Sequence, residues 1–146
     1  MNLNMIKLDT LATDIFSTVA EAAAEDIYPP QETDKFGKPK YDKKGEPILE
    51  KVNHSTQLRK FYDELVIWHD KVFRAANRNE AYQQAAPFIQ MMKAKAAYAK
   101  GRDHVNDKFV ALFDTIIGQI QSPDTLKHAK LFFEAVLGYR RAAEQK

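Results

Sequence analysis

Apolar residues recur at spacings of three and four along most of the chain, and the residues that break helices are concentrated in one segment. Such spacing places apolar side chains on one face of an α-helix. The pattern therefore predicts an all-α protein, a compact bundle of about five helices in a single domain of residues 1–146. The predicted helices span about 6–28, 55–77, 80–100, 103–121 and 122–143.

Residues at the helix ends support these bounds. The second helix should begin at Ser55 or Thr56, whose hydroxyl can cap the free N–H groups of the first turn. The third should end at Gly101, which adopts the left-handed capping conformation at little cost, while Pro87 either kinks this helix or marks its true start. Ser122-Pro123-Asp124 is typical of a helix start with proline in the first turn.

Residues 29–54 form a long irregular connection after the first helix, with four prolines, two glycines and six lysines and no evident repeat. Asp42-Lys43-Lys44-Gly45 could close a short hairpin between Lys40-Tyr41 and Pro47-Ile48-Leu49. A connection of this length is unusual in a small bundle. Two interpretations remain open: a solvated loop, or a basic arm that touches RNA or a neighbouring subunit.

Composition excludes several classes of protein. No apolar run reaches the roughly 18 residues of a membrane span, and the N-terminus lacks the pattern of a signal peptide, so we expect a cytoplasmic protein without a membrane partner. The absence of cysteine excludes thiol nucleophiles, disulfides and Cys-ligated zinc. The net charge is only +2, yet residues 1–28 carry one lysine against five acids, whereas residues 55–102 carry nine lysines or arginines against four acids.

Catalytic signatures are missing. The five glycines form neither a phosphate-binding loop nor a dinucleotide fingerprint, and no Glu-x-x-His pair suits a helical di-metal site. Asp103, His104 and Asp107 could hold a metal weakly, but acids there also complement the positive end of the fourth helix. Ser55 beside His54 is better explained as a helix cap than as half of a nucleophilic pair. We therefore predict no catalytic residue, metal or cofactor.

The basic residues of the third helix fall on two flanks. At 100° per residue, Lys95 and Arg102 project within about 20° of each other, as do Lys93 and Lys100, and the two pairs lie on nearly opposite sides. A single flat surface cannot use both pairs. On the residues alone, these cations are either solvated charges or phosphate contacts.

The second helix carries a further basic pair. Arg59 projects near the edge of the buried stripe, whereas Lys60 points toward solvent beside Glu64, four residues later, with which it could form an ion pair. We assign Tyr98 and Tyr139 to packing, with stacking on bases or riboses as the second interpretation.

Three segments carry a resemblance to a known family. His54-Ser55-Thr56-Gln57-Leu58-Arg59-Lys60 resembles the Thr/Ser-Thr/Ser-x-Leu/Ile-Arg-Lys helix start of the Csm small-subunit family, the small subunits of type III-A CRISPR effector complexes. The segment 93–102 is similar to the family pattern Lys/Arg-x-Lys-x-x-Tyr-x-x-Gly-Arg. The segment 130–139 is similar to the family's C-terminal Arg/Lys-x-Phe-x-x-hydrophobic-Glu-Ala-hydrophobic-x-x-Tyr helix.

The resemblance implies a compact all-α subunit without catalysis or a cofactor, acting in antiviral defence. Several copies would stack along the effector filament beside the backbone and large subunits and line the channel that holds guide RNA paired with target RNA. Contacts to phosphate and ribose would suffice there, because recognition must tolerate any sequence. The residues assigned to RNA are His54, Gln57, Arg59, Lys60, Lys93, Lys95, Lys100 and Arg102.

Two alternatives remain. A small subunit of a type III-B complex would share this role but carry different signature segments. A self-associating helical adaptor would use exposed aromatic residues of the last helix to bind a partner protein, and its cations would be ordinary surface charge.

Overall fold

Five α-helices make up most of the chain in the computed structural model, which describes residues 1–144. The all-α prediction is confirmed. α5 packs against α1 and α2, and α3 packs against α2 and α4, so that the last helix contacts the first two. The bounds are Ala20–Asp26 for α1, Ser55–Arg74 for α2, Arg78–Gly101 for α3, Asp107–Gly118 for α4 and Pro123–Glu144 for α5.

The centre of the core is a cluster of phenylalanine rings where α2, α4 and α5 meet. Phe109, Phe113 and Phe133 are fully buried. The Phe61 ring lies 5.1 Å from that of Phe113, and the Phe113 ring lies 5.7 Å from that of Phe133, measured between centroids. Each buried ring of this size stabilises the fold by about 2 kcal/mol through loss of apolar surface to water. The cluster therefore fixes the relative positions of the three helices.

The first predicted helix, 6–28, is wrong over its first half. After a single 3₁₀ turn at Leu3–Met5, the next helical structure is one wide turn at Ile15–Val19, which leads into α1. Ile6 and Leu8 are both buried, as alternate residues of an extended segment. The Gln119 side chain bonds the Ile6 carbonyl at 2.6 Å and the Leu8 N–H at 2.8 Å, and His128 lies 2.6 Å from the Leu8 carbonyl. These side chains satisfy backbone groups that a helix would otherwise have paired internally.

The helix ends also differ in places. Gly101 is the last residue of α3, and the left-handed residue that follows is Asp103, with φ 60°. The amide of His104 then donates to the Ala99 carbonyl at 3.0 Å, a C-terminal capping pattern. Because Asp103 belongs to this cap, α4 begins at Asp107 rather than at Asp103. At its other end, α4 stops at Gly118 rather than at Gln121.

The other predicted helix boundaries are confirmed in part. Pro87 lies inside α3, so it does not mark the start of that helix, and the Asn77 side chain caps the helix instead. α2 ends at Arg74, three residues earlier than predicted. The predicted start of α5 is confirmed at Pro123, with Ser122 and Thr125 capping each other through side chain and backbone at 2.9 and 3.1 Å.

The connection of residues 29–54 is ordered, and it contains a repeat that was not anticipated. Asp-Lys-x-Gly-x-Pro occurs at 34–39 and again at 42–47. In both turns the aspartate Oδ1 accepts the backbone N–H groups two and four residues later, at 2.8 and 3.0 Å. Gly37 and Gly45 have φ of 78° and 80°, which glycine adopts without a steric penalty. The predicted hairpin at Asp42–Gly45 is confirmed by antiparallel pairing of Tyr41 with Pro47.

The repeat closes a ring of backbone hydrogen bonds among Glu32, Lys40 and Ile48, which are eight residues apart. Lys40 N–H donates to the Glu32 carbonyl at 2.9 Å, and Ile48 N–H donates to the Lys40 carbonyl at 3.0 Å. Glu32 N–H completes the ring by donating to the Ile48 carbonyl at 2.6 Å. We refer to residues 30–50 as the hairpin module; the Glu50 N–H to Pro30 carbonyl bond, 2.7 Å, joins its two ends.

Asn53 fastens the end of the connection to the bundle. Its φ is 55°, and it follows Gly45 by eight residues, so it takes the left-handed position of a third repeat. The buried Asn53 amide donates to the Ile27 carbonyl at 3.0 Å and to Asn106 Oδ1 at 2.8 Å, and its carbonyl accepts from Arg140 Nε at 3.2 Å. One residue thus sets the start of α2 against the end of α1, the start of α4 and the last turns of α5.

Candidate nucleic-acid interface

The eight residues assigned to RNA do not form one patch. α2 and α3 run antiparallel as a helical hairpin, and the Lys95 Nζ to Glu64 Oε1 ion pair, 2.7 Å, sets their register. The side of α2 that carries Gln57, Lys60 and Glu64 therefore continues into the side of α3 that carries Lys95 and Arg102. We define this composite surface, Gln57, Lys60, Lys95, Tyr98 and Arg102, as the α2/α3 face.

The predicted pair between Lys60 and Glu64 is wrong. The Glu64 carboxylate instead accepts from Lys95 Nζ at 2.7 Å and from Trp68 Nε1 at 3.4 Å. A tertiary partner on the neighbouring helix has displaced the local one. Within residues 1–144, Lys60 has no ion-pair partner, and its exposed ammonium group is available at the edge of the α2/α3 face.

Tyr98 is the most exposed aromatic residue of the helices. Its side chain is 67% exposed, so the expectation that Tyr98 packs in the core is wrong, whereas Tyr139 is half-buried against the core as predicted. The Arg102 guanidinium lies 5.8 Å from the Tyr98 ring. A cation held beside an exposed ring is suited to meeting a phosphate and a ribose together.

The other flank of α3 turns toward α4. Lys93 is half-buried, and its Nζ lies 3.4 Å from the point that a Cβ atom would occupy if Gly118 carried a side chain. Lys100 Nζ forms an ion pair of 2.5 Å with Asp107 Oδ1 in the first turn of α4. Lys93 and Lys100 thus lie along the seam between two packed helices, while Lys95 and Arg102 lie on the open α2/α3 face.

Arg59 lies on a different side of α2, toward α5. It borders a groove of about 410 Å³ with Ser55, Thr56, Leu137 and Arg141. Its Nε pairs with Asp63 Oδ1 at 3.3 Å. Arg59 therefore projects about 100° away from Lys60 around α2, beside the groove with α5 rather than on the α2/α3 face.

Tyr62 lines a neighbouring groove, together with Arg59 and Glu134. The Tyr62 hydroxyl donates to Glu134 Oε1 at 2.6 Å. Burial, followed by that hydrogen bond and the charge of Glu134, raises the pKa of Tyr62 well above its ordinary value. The phenol stays protonated as a donor, so its role is to hold α2 on α5.

The start of α2 is capped by Glu144 and not by Ser55 or Thr56 as predicted. Glu144 Oε1 accepts the Ser55 N–H at 3.1 Å, and Oε2 accepts the Ser55 hydroxyl at 2.6 Å. His54 is exposed and lies 3.9 Å from the same carboxylate. An internal anion thus occupies the helix end, and the Ser55 hydroxyl is held by a carboxylate rather than aimed at a substrate.

Arg140 supports Glu144 from within the bundle. Its guanidinium is 2% exposed, bonds Glu144 Oε1 at 3.1 Å and lies 5.1 Å from the Tyr28 ring. Burial would raise the pKa of Glu144, but the hydrogen bonds from Ser55 and the charge of Arg140 outweigh it, so this pKa lies below its ordinary value. Burial likewise lowers the pKa of Arg140. The pair is ionised at neutral pH.

Sequence reasoning missed Arg141, whose exposed guanidinium borders the groove beside Arg59. Arg141 follows the buried Arg140 directly in an apolar helix. Only the helical period of the sequence could have shown that one arginine is exposed and the other is buried. Within residues 1–144, no group of three His, Asp or Glu side chains is placed to hold a metal ion. None of the helices in that range is long and apolar enough to cross a membrane.

Comparisons with known proteins bear on the same residues. A family model described as Csm2 Type III-A matches residues 39–146, which include α2 to α5 and every residue of the α2/α3 face. No curated protein and no solved structure matches the chain.

Proposed function

The chain belongs to the Csm2 Type III-A family, the small subunits of type III-A CRISPR complexes, and on that premise we propose that it binds the guide RNA–target RNA duplex without catalysing a reaction. The site for the duplex is the α2/α3 face. The role is to hold the duplex in the complex during antiviral defence, while chemistry belongs to other subunits.

The observation that supports this site most directly is the meeting of cations from two helices on one open surface. Lys60 comes from α2, and Lys95 and Arg102 come from α3; all three are exposed. Gln57 and Tyr98 add groups that can bond ribose or pack on it. Lysine and arginine neutralise phosphates whatever the base sequence, which suits a subunit that must accept any guide.

The chemistry of the face fits the shape of double-stranded RNA. Its deep major groove is closed to side chains, so proteins bind it through phosphates and 2′-hydroxyls along the shallow groove. Charged and amide side chains serve for those contacts. Glu64, neutralised by Lys95, fixes the position of the lysine and leaves two other ammonium and guanidinium groups for phosphate.

Further partners follow from membership of the complex. We infer that the backbone and large subunits, and other copies of this chain, contact it along the filament, in the cytoplasm. The rival adaptor function relied on exposed aromatic residues of the last helix. Phe132 and Phe133 are fully buried and Tyr139 is half-buried, so that surface is not offered by α5.

The two flanks of α3 provide a matched test of the site. Lys95→Gln/Arg102→Gln and Lys93→Gln/Lys100→Gln remove the same charge from the same helix. Binding of a labelled RNA duplex is measured by fluorescence anisotropy at several salt concentrations. The first variant should weaken binding and lower the slope of log affinity against log salt by about one, since each lost phosphate contact removes about one and Arg102 is the phosphate contact that this variant loses, Lys95 being paired with Glu64.

The second variant should bind nearly as the parent does, apart from a small effect of net charge. Circular dichroism confirms that both variants remain helical. Equal losses in the two variants would show that the effect is one of net charge alone, and an unchanged affinity in the first would show that the α2/α3 face is the wrong surface.

A further inference from the structure

We propose that the hairpin module is a second RNA-binding site, and that it takes unpaired RNA by stacking bases on Phe36 and Tyr41. Nothing in the family match covers Phe36 or the first turn, because the match begins at residue 39. The site is separate from the α2/α3 face, and its ligand is single-stranded where that of the α2/α3 face is double-stranded.

The two rings are exposed on a rigid support. Phe36 is 76% exposed and Tyr41 is 58% exposed, in a stretch where every residue from 33 to 47 is exposed. The turns beside them are fixed by the carboxylates of Asp34 and Asp42, and the segments between the turns are joined by the ring of backbone bonds described above. The backbone that carries the rings therefore loses little conformational freedom when a base stacks on them.

The surroundings of the rings are cationic. The stretch 34–44 contains five lysines and two aspartates, a net charge of +3. Lys35 lies over the Phe36 ring, 5.2 Å from its centroid. Of the five lysines, only Lys40 makes an ion pair with another described residue, a 3.4 Å contact with Glu32. Aromatic rings with adjacent cations form the usual platform for single-stranded nucleic acid.

This chemistry favours unpaired RNA over the other available partners. The bases of a duplex are already stacked on each other and offer no free face to Phe36 or Tyr41. A protein partner would require a continuous apolar centre, but the nearest aliphatic side chains, Ile48 and Leu49, are half-buried. Exposed rings separated by lysines therefore suit neither duplex RNA nor a protein partner.

The closing experiment compares two probes with the full-length chain, a labelled single-stranded oligouridine and a labelled RNA duplex. Phe36→Ala/Tyr41→Ala should reduce affinity for the single strand about a hundredfold, since stacking on each ring is worth about tenfold, and should leave the salt slope unchanged. Lys43→Gln/Lys44→Gln should lower that slope by about one to two. Neither variant should alter duplex binding.

The Lys95→Gln/Arg102→Gln variant is the matched control and should give the reverse pattern, loss of duplex binding with single-strand binding retained. The inference shares RNA as ligand with the proposed function, but the two probes separate their failures. Unchanged single-strand affinity in both module variants would overturn the inference, as would equal losses for the two probes. If the module variants instead release a protein subunit of the complex with RNA binding intact, the module is a protein contact and the inference is wrong.

A direct readout guards against a merely structural effect. Phe36→Tyr/Tyr41→Phe keeps both rings and should bind the single strand as the parent does. In Phe36→Trp, single-stranded RNA should quench the new indole fluorescence, because a base stacked on the ring quenches it, while duplex RNA should not. Quenching by both probes to the same extent, or by neither, would contradict stacking at this position.

Discussion

In the helical bundle, Phe109, Phe113 and Phe133 have no exposed surface, whereas in the hairpin module every residue from 33 to 47 is exposed and Phe36 stands out into solvent. The bundle is held by burial of apolar surface. The module has no core of its own and is held by backbone hydrogen bonds, two Asp-centred turns and two left-handed glycines.

The difference indicates what each region can present to RNA. A helix of the bundle buries one side and offers charge on the other, so the RNA contacts that we propose for it are with phosphate. The module has no buried side to satisfy, so it can leave aromatic rings exposed without weakening the fold. The two kinds of surface therefore suit paired and unpaired RNA, respectively.

The largest contrast is expected from truncating a phenylalanine in each region. Phe113→Ala should lower the free energy of unfolding by about 4 kcal/mol, since it leaves a cavity in the core. Phe36→Ala should change it by less than about 0.5 kcal/mol, because the ring is exposed. Urea denaturation followed by circular dichroism measures both. A comparable loss in Phe36→Ala would mean that the module packs on the bundle more closely than its exposure indicates.

The bundle was largely predictable because its signals are local. Ser122-Pro123-Asp124 marks the start of α5, and the apolar period of α2 and α3 locates their buried sides. The segment with Ile6 and Leu8 was not predictable, since Gln119 and His128 bond its backbone from distant positions in the sequence. The sequence carries no local sign of those contacts.

The module was predictable in part. The turn residues of Asp42–Gly45 indicated its second hairpin, and the earlier copy at Asp34–Gly37 was also present in the sequence as a repeat of eight residues. Its attachment to the bundle depends on Asn53, which occupies the third left-handed position without being glycine and bonds Ile27 and Asn106.

The candidate site was predicted by residue type but not by arrangement. Which acid neutralises which base depends on tertiary contacts, and Glu64 pairs across helices with Lys95 rather than along its helix with Lys60. The same holds for the start of α2, where Glu144 arrives from the far end of α5. Helical angles separated the two flanks of α3, but only the packing of α4 shows which flank is covered.

An intermediate effect is expected at the junction of the two regions, where Glu144 caps α2. Glu144→Gln should lower the free energy of unfolding by about 2 kcal/mol at neutral pH, because it weakens charged hydrogen bonds to Ser55 and leaves the buried Arg140 without its counter-charge. Since the folded pKa of Glu144 lies below the ordinary 4.5, the ionised group stabilises the fold above that pH. The contribution is lost as pH falls through the folded pKa.

The measurement is therefore urea denaturation of both proteins at pH 7 and at an acidic pH below the folded pKa of Glu144, where the difference between them should shrink because the carboxylate is then protonated. Glu25→Gln, an exposed acid on α1, serves as the control and should show little change at either pH. A gap of the same size at both pH values would show that Glu144 acts through packing rather than charge.

The smallest effect is expected from adding one methyl group to a glycine in each region. A Cβ at Gly45 would touch nothing within 4 Å, so Gly45→Ala costs only the left-handed backbone, about 1 kcal/mol. Because the module has no core, this cost should appear as faster hydrogen exchange at the Asp42 and Glu46 amides, with the unfolding of the helices unchanged.

The matched substitution in the bundle is Gly138→Ala, where a Cβ also meets nothing within 4 Å. It should stabilise α5 by up to about 1 kcal/mol, since alanine loses less backbone entropy than glycine in a helix. Adding the same methyl group thus destabilises the module and stabilises the bundle, because the backbone is left-handed at Gly45 and helical at Gly138. If Gly45→Ala instead shifted the unfolding of the whole chain, the module and the bundle would unfold as one unit, and the rigidity that we assign to the Phe36 and Tyr41 platform would derive from the helices rather than from its own ring of hydrogen bonds.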